Sequence, residues 1–256
     1  GKAMLSSLLS AAKRGVKVQI IVDGLSGLMQ LKGNKYFLAL SEEENAQIRI
    51  YNPVSLLRPW SLNGRLHDKY LIVDDSSYIL GGRNIFDIFL GKDSTHKNHD
   101  WDVLVYNQRE GQSDSMKQLL GYFNTIWNKP ESKDFKNNLG FVRNRSIKEG
   151  KEELESIYDK LQEEHGQWFE PIDYYTITKP VKNIRLESNP TNLYAKEPIV
   201  FHTITRLMQE AKEDVKFAAE TLPDITTLKD GQISSSAAFH LLAEIYLALG
   251  MNEEAV

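Results

Sequence analysis

The sequence predicts an α/β fold with a mixed central sheet flanked by helices. Three observations carry that expectation. An amphipathic helical pattern near the start hands over directly to an apolar, β-branched run, the arrangement of layered α/β domains. Further short apolar runs follow, and a helical apolar face closes the segment. The chain has 256 residues, of which 41% are hydrophobic and 26% charged, enough for a soluble globular domain with a full core.

The elements follow in order. Leu5, Leu8, Leu9 and Ala12 recur at helical spacing, and Gly15 after Lys13 and Arg14 marks the stop. Val16, Val18, Ile20, Ile21 and Val22 form a buried strand ending at Asp23 and Gly24. Gln47 to Tyr51, Tyr70 to Val73, Tyr78 to Leu80 and Asp102 to Tyr106 read as further strands. Leu119, Leu120, Phe123, Ile126 and Trp127 share one helical face. From Pro130 to Gly150 the composition turns polar and basic, which reads as a surface loop or linker. Leu154, Ile157, Tyr158 and Leu161 then recur among Lys and Glu as an exposed amphipathic helix. Ile184 to Leu186 resembles a strand, and Asn189-Pro190 a turn. Pro198 suits a helix N-terminus, with Ile204, Leu207, Met208 and Ala211 as that helix's buried face.

An internal repeat is visible. Ala12-Lys13 and Val16-Lys17-Val18 match Ala211-Lys212 and Val215-Lys216-Phe217, offset by 199 residues. Both copies sit where a helix gives way to a strand, which favours a duplication and the start of a second α/β lobe. That lobe is expected to be incomplete within the sequence. After Glu220, the positions Ala238, Leu242, Ala243, Tyr246, Gly250 and Ala255 read either as an ordinary amphipathic helix or as the first helix of a tetratricopeptide repeat.

Bulk properties exclude several classes. With no cysteine, neither disulfides nor thiolate metal sites are available. The net charge of -4 argues against a nucleic-acid partner, since such proteins commonly show a strongly basic balance. No apolar run approaches the roughly 18 residues a membrane span needs. A secretory leader is not visible, and a membrane anchor upstream of Gly1 is compatible with the reading.

The chemistry concentrates between His67 and Asn84. His67, Lys69, Asp74, Gly81, Gly82 and Asn84 follow the pattern H-x-K-x4-D-x6-G-G-x-N. Strand alternation puts His67 and Lys69 on one side. An imidazole there can attack phosphorus or pass a proton, and an ammonium can hold the non-bridging oxygens. Gly81 and Gly82 permit close backbone approach, and the Asn84 amide can donate to the same oxyanion.

This pattern resembles the motif of the phospholipase D superfamily, named HKD for its three residues. The flanks are similar to the bacterial cardiolipin synthase-like branch: Ala11 to Val18, Gly64-Arg65-Leu66 before the histidine, Ile85 after the asparagine, Asp100-Trp101-Asp102, and the helix ending at Trp127. The resemblance covers about Leu5 to Trp127, and Ile184 to Phe217 more loosely. It implies a phospholipase D-like lobe over 1–130, a linker and helix over 131–180, the start of a second lobe over 181–220 and a helical tail over 221–256.

It also implies phosphatidyl transfer between phospholipids through a phosphohistidine on His67, with Lys69 binding phosphate and Asp74 bracing the motif. Asn84 and Gly82 support the phosphate, and Asp100, with Asp102 as the alternative, is expected to orient a ring nitrogen of His67. A second histidine, from a second such motif, protonates the leaving alcohol. The sequence holds one His-x-Lys pair, so the chain is expected to act as half of an enzyme. A homodimeric single-motif phosphodiesterase or nuclease is the alternative, as is a non-catalytic binding protein. The implied partners are a phospholipid, a membrane surface and a second motif-bearing lobe. No cofactor and no metal are implied, although His96, His99 and Asp100 are close in sequence. His165, His202 and His240 have no motif partners and read as structural or surface residues. The expected location is the bacterial membrane, held peripherally or through an anchor outside this sequence.

Overall fold

The computed structural model describes residues 1–31, 33–55, 64–84, 100–107, 113–135, 140–190 and 197–215. They fall into two units, Gly1–Leu186 and Glu187–Val256. The tail read as helical, 221–256, lies outside the described residues, as do His96, His99 and His240.

The first unit is α/β. Helix α1 (Lys2–Lys13) buries Ser6, Leu9 and Ala12 and ends at Gly15, whose φ of 91° suits glycine. It leads into β1 (Val18–Asp23). A short helical turn Gly24–Ser26 and a π-helical turn Gly27–Leu31 follow, then α2 (Lys35–Ser41), whose first N–H groups are capped by Asn34. Strand β2 (Ala46–Tyr51) runs parallel to β1, pairing Val18 with Ala46 through Asp23 with Tyr51. The carboxyl ends of the two strands are therefore level.

The chain then builds an antiparallel sheet. Its strands are β3 (Lys69–Val73), β4 (Ser77–Gly81) and β5 (Asp102–Tyr106), in the order β3-β4-β5. Helix α3 (Asp114–Trp127), capped by Ser113, covers one face of it. Tyr78, Val105, Met116 and Leu119 are buried there.

The remaining elements correct the reading of the segment after Pro130. Among its described residues, 132–134 form a strand and 140–150 belong to a helix. Strand β6 (Ser132–Asp134) pairs antiparallel with β2, giving a second, mixed sheet ordered β1-β2-β6. Helix α4 (Gly140–Glu164) packs against α1 and α2, with Leu154 fully buried beside Leu9, Leu31, Leu40 and Ile48. The expected sheet thus comes as two three-stranded pieces among the described residues, one mixed and one antiparallel.

Ile184 to Leu186 also differs from expectation. These residues are irregular, not a strand. Ile184 and Leu186 pack on the α3 side of the antiparallel sheet, and the Leu186 N–H donates to Gln118 Oε1 at 3.0 Å. A side-chain acceptor here does the work that a neighbouring strand would otherwise do.

The second unit contains α5 (Ile199–Glu210), with Pro198 at its N-cap as expected. Its apolar stripe is not buried: Ile204, Leu207 and Met208 are all exposed. No strand is present among the described residues of this unit to cover them. Val215 is also exposed and not in a strand. Lys216 and Phe217, the rest of the expected handover, lie outside the described residues.

Candidate active site

His67 and Lys69 meet at the start of β3. Lys69 Nζ lies 2.9 Å from His67 Nδ1 and donates to the His67 carbonyl oxygen at 2.6 Å. A charged ammonium has only protons to offer, so Nδ1 accepts and the ring proton is assigned to Nε2. The residues between and after them point elsewhere, as alternation requires. Asp68 Oδ2 accepts from the Tyr122 hydroxyl of α3 at 2.5 Å, and Tyr70 makes edge-to-face contacts with Tyr122 and Phe123. Burial first, and then Asp68, push the Tyr122 hydroxyl well above the ordinary tyrosine range. Tyr70 is raised for the same two reasons, burial leading.

The glycine pair closes the same end of the sheet. Gly81 pairs with Lys69 in one direction and with Asp102 in the other. A Cβ on Gly81 would lie 2.0 Å from Asp102 Oδ1, and one on Gly82 would lie 2.6 Å from Asp100 Oδ2. The absent side chains therefore admit two carboxylates against the backbone. Asn84 follows two residues beyond Gly82, near the end of the hairpin that carries Lys69.

The other expected site residues have places and partners of their own. Asp74 stands at the opposite end of the β3–β4 hairpin, in the left-handed region with φ 49°. About 3.4 Å of rise per residue separates it from Lys69 by roughly 17 Å. Its carboxylate has no hydrogen-bond partner among the described residues, so the geometry gives the bracing role no contact. Asp100 accepts the Trp101 N–H at 2.8 Å, and its carbonyl accepts from Arg83 Nη2 at 2.6 Å. Asp102 Oδ2 sits 3.0 Å from Arg83 Nε. Both carboxylates are thus engaged by Arg83 and Trp101, while His67 Nδ1 faces Lys69.

Sequence reasoning missed the residues that hold the approach to His67. Asp23, at the carboxyl end of β1, accepts the Leu25 N–H at 2.9 Å, the Leu66 N–H at 2.9 Å and Arg65 Nη1 at 3.4 Å. Asn52, just past β2, accepts from Arg65 Nη2 at 2.9 Å and donates to the Gly64 carbonyl at 2.8 Å. One signal was available: polar residues at the carboxyl ends of parallel strands mark ligand-facing positions in α/β sheets.

An α/β unit presenting a His-x-Lys pair beside a Gly-Gly turn defines a phospholipase D-like domain. The comparisons agree. Residues 1–127 match the family described as cardiolipin synthase, PLD-like domain. That segment belongs to the phospholipase D superfamily, in its cardiolipin synthase-like branch.

Among curated relatives, cardiolipin synthase C of Escherichia coli K12 is 35% identical over 119 residues, covering 41% of this chain and 24% of that protein. The major cardiolipin synthase ClsA of Bacillus subtilis 168 is 36% identical over 93 residues, covering 36% of this chain and 18% of that protein. An uncharacterized protein of Helicobacter pylori 26695 is 32% identical over 116 residues, covering 41% and 22%. The match thus spans about a quarter or less of the length of these relatives. No solved structure matches the chain at a significant level. Among the described residues, no helix is long and apolar enough to cross a membrane, and no cluster of His, Cys, Asp or Glu is arranged to hold a metal.

Proposed function

We propose that His67 and Lys69 form one half of a phosphatidyl-transfer site of cardiolipin synthase type. The observation that carries this reading is the 2.9 Å approach of Lys69 Nζ to His67 Nδ1. A phosphodiester seated there offers its oxygens to Lys69 in place of the ring nitrogen, which frees a lone pair on His67. The imidazole then forms an N–P bond as the P–O bond to the leaving alcohol breaks. A second histidine protonates that alcohol and later takes the proton from the acceptor hydroxyl, whose oxygen displaces His67 from phosphorus. The sequence carries no second His-x-Lys pair, so the acid comes from a second motif-bearing lobe, in the same protein or another chain.

The open face of the antiparallel sheet favours a lipid over a nucleic acid. Leu71, Val73 and Ile79 are 38%, 48% and 41% exposed. All three stand on the face that Lys69 shares, by alternation and by the pairing of Leu71 with Ile79. An apolar surface continuous with a phosphate-binding cation suits an amphiphile docked at a membrane surface.

The test is phosphatidyl transfer from phosphatidylglycerol vesicles to an added primary alcohol, followed by mass spectrometry. Supplied with a second motif-bearing lobe, the chain is expected to form the ester, and His67→Ala and Lys69→Ala to abolish it. The 256-residue chain alone is expected to form none. Undiminished transfer by folded His67→Ala overturns the proposal.

A further inference from the structure

We propose that Asp23 is a positioning residue for His67, acting through the backbone of Leu66 and the guanidinium of Arg65. The proposal rests on reading His67 and Lys69 as the reacting pair. Its basis is the placement of the anchors. Three consecutive residues before His67 are each tied to the ends of the parallel strands. The Gly64 carbonyl is held by Asn52, Arg65 by both Asp23 and Asn52, and the Leu66 N–H by Asp23. Asn52 is buried and adopts φ 46°, a conformation that its short amide side chain tolerates.

His67 lies outside the β3 ladder, whose first pair is Lys69 with Gly81. Its backbone therefore hangs between two fixed points, Leu66 on one side and Lys69 on the other. The ladder sets where the ammonium goes, and the carboxylate of Asp23 sets where the imidazole goes. The Asp23 side chain is 13% exposed and that of Arg65 is 21% exposed, so solvent screens their attraction only partly. A carboxylate accepting from two backbone N–H groups and a guanidinium has its two oxygens fixed in direction. Removing it leaves the Leu66 N–H without its acceptor and lets the residue beside His67 drift.

Nitrogen-resolved NMR of the His67 ring tests this in the 256-residue chain without needing turnover. The native chain is expected to show one neutral tautomer, with the proton on Nε2. In Asp23→Ala the ring signals are expected to move toward an average of both tautomers, with amide signals of Leu9, Leu40 and Ile48 unmoved. Asp23→Asn keeps one acceptor oxygen and is expected to fall between. In the complete enzyme, Asp23→Asn is expected to lower kcat about 10²-fold with KM unchanged.

Native-like His67 signals in a folded Asp23 variant overturn the proposal. So do ring shifts no larger than those of the core amides, or failure of both variants to fold, which would make Asp23 a fold residue only. A wild-type enzyme without transfer activity would sink the proposed function instead, and the ring spectrum would still report on positioning.

Discussion

The two sheets of the first unit are covered differently. The mixed sheet β1-β2-β6 lies against α1, α2 and α4, whose shared core includes Leu9, Leu31, Leu40, Ile48 and Leu154. The antiparallel sheet β3-β4-β5 has α3 on one face and leaves Leu71, Val73 and Ile79 exposed on the other. The first sheet is scaffold: its strand ends reach Arg65 and Leu66. The second carries the proposed reacting pair, and the face it leaves open is the one that Lys69 shares. A sheet built into a helical core gives rigidity, and one with an open apolar face gives a reacting group access to substrate.

The largest expected effect strikes the scaffold. Leu154 is fully buried on the helix once read as an exposed linker element. Leu154→Ala is expected to lower the unfolding free energy by about 3 kcal/mol, measured by urea titration. A loss near zero would return α4 to the status of a linker and erase the contrast between the sheets.

A smaller effect is expected beneath the reacting pair. Tyr122→Phe removes the donor that holds Asp68 and is expected to cost about 1 kcal/mol. The same hydroxyl gives the contact a pH dependence. Its folded-state pKa is raised above the ordinary value of 10.0, so its contribution is fully present below pH 10. That contribution is lost as pH rises above this, because the unfolded chain gives up the proton first. Ultraviolet titration of tyrosinate is expected to show Tyr51, Tyr70 and Tyr122 ionising late in the folded chain, and one fewer late group in Tyr122→Phe.

The open face should respond in the opposite sense from the core. Leu71→Ser with Val73→Ser is expected to change stability by only about 0.5 kcal/mol, as exposed positions do. Binding to phosphatidylglycerol vesicles, followed by co-sedimentation, is expected to be lost. Unaltered vesicle binding would detach the apolar face from the lipid. Smallest of all, Lys13→Ala breaks the exposed ion pair with Glu155, and denaturation curves are expected to superimpose on those of the native chain.

The same contrast explains what the sequence made legible. Strands β1 to β5 were readable because apolar runs end at turn residues. The shared side of His67 and Lys69 followed from alternation alone. The second half of helix α4 was readable as a helix but not its burial, and the first half was not readable, since it is polar and carries Gly150. That glycine is no helix stop: a Cβ there would lie 2.3 Å from the Lys35 carbonyl, so it marks close packing against α2. Asp23, Asn52 and Arg65 were hidden because the hydrogen bonds that tie the strand ends to residues 64–66 span 12 to 43 positions with no spacing rule. The local contacts of Asp100, its carboxylate with the Trp101 N–H and its carbonyl with Arg83, were likewise not legible, because a motif-based expectation does not weigh them.

The central claim is that His67 is a nucleophile in a half-site that lacks its acid. A phosphodiester with a nitrophenol leaving group tests this most directly, because nitrophenolate departs without a proton donor. Mixed with the 256-residue chain, it is expected to release a single burst of one nitrophenolate per chain, and peptide mapping should find the phosphoryl group on His67. His67→Ala should give no burst. A burst that persists in His67→Ala, or an adduct on any other residue, would contradict the account.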